Sequence, residues 1–441
     1  MTGYYLRLAM ISIRKHPAHT LLMIVAIALG VAVCMSMVTV NYLMAKNPIP
    51  EKSEQLFYVQ LDNWNPDNAF RSPNDPPDQV TWQDARALVE AGQAHRQIKS
   101  ASFSMVVEPE DPEIRPFQVS VRGTHADFFP MFNVPFLFGD GWSRESERGM
   151  FDSDLVVVLS KATNERLFGG IDSVGRDVRI GTATYRVVGV MDEWRPVPKF
   201  YDVTNNFFGN PEDVFMPFDV DYKIASTRQR QGSMNCWKPT APAFRAILGS
   251  ECVWMQMWVE LRDSSEKEEY LQFLNNYVSE QKEQGRFERP MNNRLQSVTE
   301  WMDYNEIVQP EAKMMLAIAV MFLVVCLLNT VGLLLSKFIG KSAEASVRRA
   351  LGASRATLFY QYLIETLIIG IAGGLLGLLL TWFALEAMTA MFGELASNLM
   401  TLDVNLMIMT IILAMASSIG AGLYPTWRAC SIPPAAQLKS Q

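Results

Sequence analysis

The sequence predicts an α-helical membrane protein with four transmembrane helices in a 1+3 arrangement and a large periplasmic α+β domain inserted between helices 1 and 2. Three observations predict this class. Four long runs are almost free of charged residues, a polar and acidic segment (46–312) separates the first run from the others, and basic residues concentrate in alternate short loops. The whole chain is only 49% hydrophobic and 19% charged because these unlike parts are averaged.

Each apolar run is long enough to cross a bilayer, because the hydrocarbon core of about 30 Å takes about 20 helical residues. The first run is longer than the apolar region of a signal peptide, which is about 7–15 residues, so we expect an uncleaved anchor. The predicted transmembrane helices are residues 20–45, 313–335, 359–385 and 404–425.

A short cytoplasmic interfacial helix is predicted within residues 1–19. Tyr4, Leu8 and Ile11 fall on one helical face, and Arg14 falls on another. Such a helix would lie on the inner leaflet with its basic face towards the headgroups. An unstructured basic segment is the alternative.

The distribution of Lys and Arg predicts the orientation of the chain. Loop 336–358 carries five basic residues and one acid, whereas loop 386–403 carries three acids and no base. Segment 46–312 holds 28 Lys+Arg and 41 Asp+Glu, a difference of −13. The positive-inside rule places 1–19, 336–358 and the tail 426–441 in the cytoplasm. We expect a multi-pass protein of the bacterial inner membrane whose acidic outer segment does not bind nucleic acid.

The outer segment predicts a mixed α+β fold, because short β-branched or aromatic runs alternate with capped helical patterns. Strands are expected at 57–61, 102–107, 117–122, 155–159, 185–190 and 257–261, and helices at 81–91, 161–168, 264–280 and 295–309. Residues 195–250 are rich in Pro, Asn, Asp and aromatic residues and are expected to form an inserted subdomain, with long loops as the alternative. In the periplasm Cys236 and Cys252 could form a disulfide, which the sequence leaves open.

No catalytic, cofactor or metal site is predicted in this chain. Its four histidines are scattered, and no Cys/His cluster has the spacing of metal ligands. Gly340-Lys341-Ser342 resembles the end of a P-loop, but that motif needs a glycine where Leu335 stands. If the protein uses ATP, we expect ATP and Mg²⁺ to bind a partner ATPase.

The third predicted span contains two features that bear on packing. Gly373, Gly374 and Gly377 would allow close contact between helices, with local kinking as the alternative. Glu365 is costly in lipid unless it is paired or near the interface, and its place at the cytoplasmic start of the helix favours the interface.

Several stretches resemble known families. The segments 121–129, 133–139, 155–160, 166–170, 174–175 and 185–190 resemble the periplasmic core domain of MacB-type permeases. Ser346–Arg355, Glu365, the glycine-rich 370–377 and Tyr424–Ala429 resemble the FtsX-like permease domain. The resemblance covers nearly the whole chain and agrees with the 1+3 arrangement of spans.

The resemblance implies a permease subunit of an ABC-type mechanotransmission transporter, in which two permeases pair with two ATPase subunits. It places a helix that couples the permease to the ATPase in the loop after the second span. The expected coupling residues are Glu344, Ser346, Val347, Arg348, Arg349, Ala350, Leu351 and Gly352. Relatives have an Arg/Lys-Glu-Ile-Gly run where this chain has Ala343-Glu-Ala-Ser346, so a straighter helix is expected here. MacB also carries a fused ATPase that is missing from these 441 residues, which implies a separate ATPase chain.

The leading functional hypothesis is export through a MacB-like tripartite efflux assembly, with a periplasmic adaptor and a TolC-like outer-membrane channel as partners. The second permease would make a homodimer or a heterodimer. Two alternatives share the architecture. One is a lipoprotein-releasing permease of the LolC/LolE kind, and the other is an FtsX-like regulator of a periplasmic hydrolase.

Overall fold

The structure is a computed structural model that describes residues 2–15, 17–263, 265–308, 310–392 and 404–431. Most of the predicted loop 386–403, the last ten residues of the predicted tail and the side chain of Tyr4 lie outside the described part of the chain. The chain divides into two compact units. The membrane unit is Met1–Ala45 with Val308–Gln441, and the outer unit is Lys46–Ile307.

Helices and strands are numbered here in chain order. The helices are α1 Thr2–Lys15, α2 Pro17–Ala45, α3 Trp82–Ala91, α4 Phe128–Met131, α5 Lys161–Phe168, α6 Val203–Asn206, α7 Tyr222–Ala225, α8 Phe244–Leu248, α9 Ser265–Glu283, α10 Val298–Tyr304, α11 Pro310–Gly340, α12 Ser342–Ala350, α13 Arg355–Phe392 and α14 Val404–Ser431. The strands are β1 Leu56–Gln60, β2 Val80–Thr81, β3 Arg96–Glu108, β4 Phe117–Thr124, β5 Phe136–Gly139, β6 Val156–Leu159, β7 Asp177–Ile180, β8 Ala183–Met191, β9 Val214–Pro217, β10 Gln229–Arg230, β11 Val253–Glu260 and β12 Arg294–Ser297.

Four helices of the membrane unit are long and apolar enough to cross a membrane, namely Pro17–Ala45, Pro310–Gly340, Arg355–Ala387 and Leu406–Ser431 of the described residues. The predicted 1+3 arrangement is therefore confirmed. Met23, Ile27 and Val31 recur every four residues along α2 and lie in one buried apolar cluster with residues of α11, α13 and α14. The helices run past the predicted ends of the spans, so the loop predicted at 336–358 is mostly helical.

The outer unit is built on one mixed sheet with the order β12-β1-β11-β3-β4-β9-β6-β8-β5. Neighbours are antiparallel except for the pairs β4–β9 and β6–β8. Strand β11 is buried at all eight positions because it lies between β1 and β3 and is covered on both faces. Helices α3 and α9 add Trp82, Leu88, Tyr270 and Leu274 to the core.

Residues 195–250 do not form the inserted subdomain that the sequence predicted. Strand β9 lies inside the sheet, between β4 and β6. The same segment also supplies Asp202 and Glu212, which form buried ion pairs with Arg122 of β4. Burial raises the pKa of Glu212, but Arg122 and Lys199 outweigh it and lower the value to about 2. The segment is held in the core by these charges, which its loop-like composition does not reveal.

The helix predicted at 295–309 is also wrong at its start. Residues Arg294–Ser297 form β12, which pairs with β1. Helix α10 then begins at Val298, where Ser297 and Glu300 make a capping box. The capping box can be recognised in the sequence as the start of a helix, whereas a strand of four mostly polar residues has no comparable sequence signal.

Candidate coupling site

The segment predicted to contact an ATPase forms helix α12, which lies between the second and third apolar helices. Glu344 and Arg348 are one turn apart and form an ion pair of 2.6 Å. The helix ends at Ala350, and Leu351 is its C-cap residue. Gly352 follows with φ +102°, a backbone conformation that residues with a Cβ rarely adopt. The glycine turns the chain into α13.

One face of α12 packs against the neighbouring helices α11 and α13. Ala345 is buried and lies in the apolar cluster that also holds Phe338 of α11 and Tyr362 of α13. Arg348 extends from the same side, and its Nη1 donates a hydrogen bond of 3.0 Å to Oε1 of Gln361. Ser346 is buried as well. A displacement of α12 would therefore also displace the residues of α11 and α13 that it contacts.

The opposite face of α12 exposes apolar side chains. Val347 is 54% exposed and Leu351 is 84% exposed, and the two lie one turn apart. Glu344 and Ala350 are exposed beside them, and Arg349 is partly exposed. Burial of a leucine side chain stabilises an interface by about 1.5–3 kcal/mol, so this face is suited to contact an apolar groove.

A buried ionic cluster lies at the base of α12. Glu365 of α13 is fully buried, and its Oε1 is 2.6 Å from Nζ of Lys337 and 3.4 Å from Nζ of Lys341. Ser12 of α1 donates to the same oxygen, and Lys337 also donates to Oγ1 of Thr20 at 3.1 Å. The cluster thus joins α1, α2, α11 and α13.

The cluster gives Glu365 the ion pairs that a buried carboxylate needs, and its position near the cytoplasmic interface stays a prediction. Pairing with cations offsets the cost of burying a carboxylate, and Lys337 at the end of α11 and Lys341 directly after it do this here. The sequence carried a partial signal. Lys337 and Lys341 are spaced by four residues at the end of an apolar run, so both point to one side of the helix.

The three glycines of α13 face two different helices. A Cβ at Gly373 would lie 2.9 Å from Ile27, and one at Gly377 would lie 3.2 Å from the carbonyl oxygen of Ala28, both in α2. A Cβ at Gly374 would instead lie 2.9 Å from Ala414 of α14. These glycines lie where α13 passes close to its neighbours.

In the outer unit Cys236 and Cys252 form a disulfide, with Cα atoms 4.2 Å apart. The bond ties the loop before α8 to the start of β11, and Asn235 also pairs with Val253 there. Cys34, Cys326 and Cys430 are free and buried in the membrane unit.

Two family models match the chain. Residues 20–275 match the model described as the MacB-like periplasmic core domain. Residues 316–434 match the model described as the FtsX-like permease C-terminal domain.

Known relatives are distant in sequence. The probable export ATP-binding/permease protein MacB of Pseudomonas entomophila (strain L48) is 22% identical over 265 residues, which is 60% of this chain and 34% of that protein. The uncharacterized ABC transporter permease YvrN of Bacillus subtilis (strain 168) is 21% identical over 326 residues, 72% of this chain and 69% of that protein. The macrolide export ATP-binding/permease protein MacB of Escherichia coli (strain K12) is 23% identical over 267 residues, 59% of this chain and 35% of that protein.

The chain therefore spans about a third of the length of these MacB relatives. Among solved structures, the periplasmic region of MacB from Actinobacillus actinomycetemcomitans is 13% identical, with a TM-score of 0.34, and the match covers 57% of this chain and 94% of that one.

Proposed function

The chain belongs to the family of ABC transporter permeases with a MacB-like periplasmic core domain and an FtsX-like permease domain, and from this premise we propose that a separate ATPase drives it through α12. ATP and Mg²⁺ would bind that partner. Closure of the ATPase would push α12, and the membrane helices would carry the movement to the outer unit.

This proposal rests on the difference between the two faces of α12, one of which is packed against other helices while the other is exposed. Its inner face is attached to α11 and α13 through Ala345 and Arg348. Its outer face presents Val347 and Leu351, although α12 is too short and too polar to span a membrane. An apolar face on a charged helix outside the lipid is typical of a protein contact.

The relatives named as macrolide export proteins extend the proposal to export. In that form a pair of permeases, identical or different, would pass substrate to a periplasmic adaptor and a TolC-like channel. Proteins cross-linked to the outer unit in cells distinguish the possibilities. An adaptor supports export, a lipoprotein carrier supports lipoprotein release, and a cell-wall hydrolase supports regulation.

Photocrosslinking from position 351 tests the ATPase contact. A photoreactive amino acid in place of Leu351 should capture a chain that contains a P-loop, whereas the same amino acid at Ile171 should not. Ile171 is a suitable control because it is an exposed aliphatic residue (51%) in the outer unit.

The charge variants Leu351→Asp and Ile171→Asp provide the matching functional comparison. Loss of one buried leucine contact should weaken association with the captured ATPase at least about tenfold, because 1.4 kcal/mol corresponds to a factor of ten. Capture of no P-loop protein at position 351, or equal ATPase association in both variants, contradicts the proposal.

A further inference from the structure

A small cavity with both polar and apolar walls lies between the interfacial helix α1, the coupling helix α12 and the start of α13. Its volume is about 40 Å³. A cavity needs about 10–15 Å³ for one water, so this one has room for about three water-sized groups. The hydrogen-bonding side chains that line it include Ser12, Lys15, Lys341, Arg348, Gln361 and Tyr362.

The charges around the cavity do not balance. Lys15, Lys341 and Arg348 line it, and Glu344 is the acid at its wall. Arg348 is paired with Glu344 at 2.6 Å. Lys341 shares the carboxylate of Glu365 with Lys337, which is the closer of the two lysines. Four cations thus meet two carboxylates.

Two of these cations lack full compensation. Burial lowers the pKa of Lys341, although Glu365 opposes this effect. Lys15 is exposed at the cavity, and no described residue forms an ion pair with it. The charge of Lys341 is partly removed from water, which is costly unless an anion accompanies it, whereas Lys15 stays in solvent and can donate to an anion bound at the cavity.

The donors come from three separate elements and converge on one small volume. Lysine and arginine donate strong charge-assisted hydrogen bonds to phosphate oxygens. The side chain of Arg348 is already oriented by Gln361 and Glu344, so little ordering would be needed on binding. Room for about three water-sized groups is enough for the two non-bridging oxygens of a phosphodiester headgroup.

We propose that this cavity is an anion site that takes a phosphate-type oxyanion. On the predicted topology it opens at the inner leaflet, so the headgroup of an anionic phospholipid is the expected source and inorganic phosphate is the other. A bound anion would bridge Lys15 of the interfacial helix and Arg348 of the coupling helix. The lipid composition of the leaflet would then affect how firmly α12 is held.

The test compares two neighbouring charge reversals on α1. Lys15→Glu changes a residue that lines the cavity, whereas Arg14→Glu changes an exposed residue that does not. Both variants lose the same nonspecific attraction to anionic lipid. The full chain, delipidated in dodecyl maltoside, is titrated with dioctanoyl phosphatidylglycerol or with inorganic phosphate, and the shift in melting temperature gives the affinity.

Phosphatidylglycerol should bind at least about tenfold more weakly to Lys15→Glu than to the natural chain, and within about twofold as tightly to Arg14→Glu. Phosphate that stabilises the chain with the same discrimination also supports an oxyanion site, and the probe that acts at lower concentration identifies the source. Equal losses in the two variants with both probes, or no stabilisation of the natural chain by either probe, would overturn the proposal.

Discussion

Replacement of Glu365 by glutamine should destabilise the membrane unit more than any other single carboxylate change in α13. Glu365 is fully buried, Lys337 is 1% exposed, and their charged atoms are 2.6 Å apart. Among the described residues, Glu365 is the carboxylate that pairs with both Lys337 and Lys341. Glu365→Gln leaves Lys337 and Lys341 without this anionic partner. Removal of one partner of a buried ion pair costs about 3–5 kcal/mol.

The free cysteines provide an assay that is specific for this unit. Cys34, Cys326 and Cys430 are buried in the membrane unit, whereas the two cysteines of the outer unit are joined in a disulfide. Alkylation of the natural chain at rising SDS fractions in mixed micelles therefore reports the opening of the membrane helices alone. We expect Glu365→Gln to shift the midpoint to clearly lower SDS.

Two further variants make the reasoning refutable. Glu386→Gln changes an exposed glutamate of the same helix and should alter the free energy of unfolding by less than about 0.5 kcal/mol. Adding Lys337→Met to Glu365→Gln removes the more buried of the two lysines that have lost Glu365. The double variant should recover at least half of the loss, because a buried ion pair and an apolar replacement are often similar in stability. Equal effects of Glu365→Gln and Glu386→Gln, or additive losses in the double variant, would show that the pairing argument is wrong.

Two other predictions concern packing and pH. Gly373→Ala should lower the stability of the membrane unit by about 1–3 kcal/mol because its Cβ would lie 2.9 Å from Ile27, whereas Gly332→Ala, with no atom within 4 Å, should not; cysteine alkylation measures both. In the outer unit, burial raises the pKa of Asp78 to about 6 despite its pairing with Arg71. The folded state therefore holds this proton more tightly than the unfolded state, and stability should fall by about 3 kcal/mol in total as pH rises from about 3 to about 7. Asp78→Asn should remove this loss when unfolding is followed by tryptophan fluorescence, and an unchanged pH profile would contradict the assignment.

Local signals in the sequence predicted local structure well. Helix α5 was expected at 161–168 and occupies those residues, because Ser160 caps its first turn and Gly169 ends it in a left-handed conformation. The four apolar helices follow equally from length and hydropathy. Each of these features depends on residues that are close together in the chain, so periodicity and caps are sufficient to identify them.

Features that depend on distant partners were missed. Strand β9 is only four residues long. Its parallel pairing with β4 joins residues 93 apart in the chain, and the buried pair between Glu212 and Arg122 joins residues 90 apart. The residues around β9 have the polar composition of a loop, but in the structure their polar side chains pair with partners in the core instead of facing solvent. Composition cannot distinguish these two uses of a carboxylate, since the difference is the identity of the partner.

Glu365 shows the same limit in the membrane unit, with a consequence for the coupling site. The cost of a carboxylate in lipid was a sound reason to expect Glu365 near the interface or in an ion pair, but the sequence did not identify its partner. The structure pairs it with Lys337 and Lys341, and these residues lie directly before α12. The two lysines that compensate the buried charge of Glu365 therefore also hold the start of α12, the helix proposed to contact the ATPase. A force applied to α12 would act against this buried cluster, which links α1, α11 and α13, and not on a flexible loop.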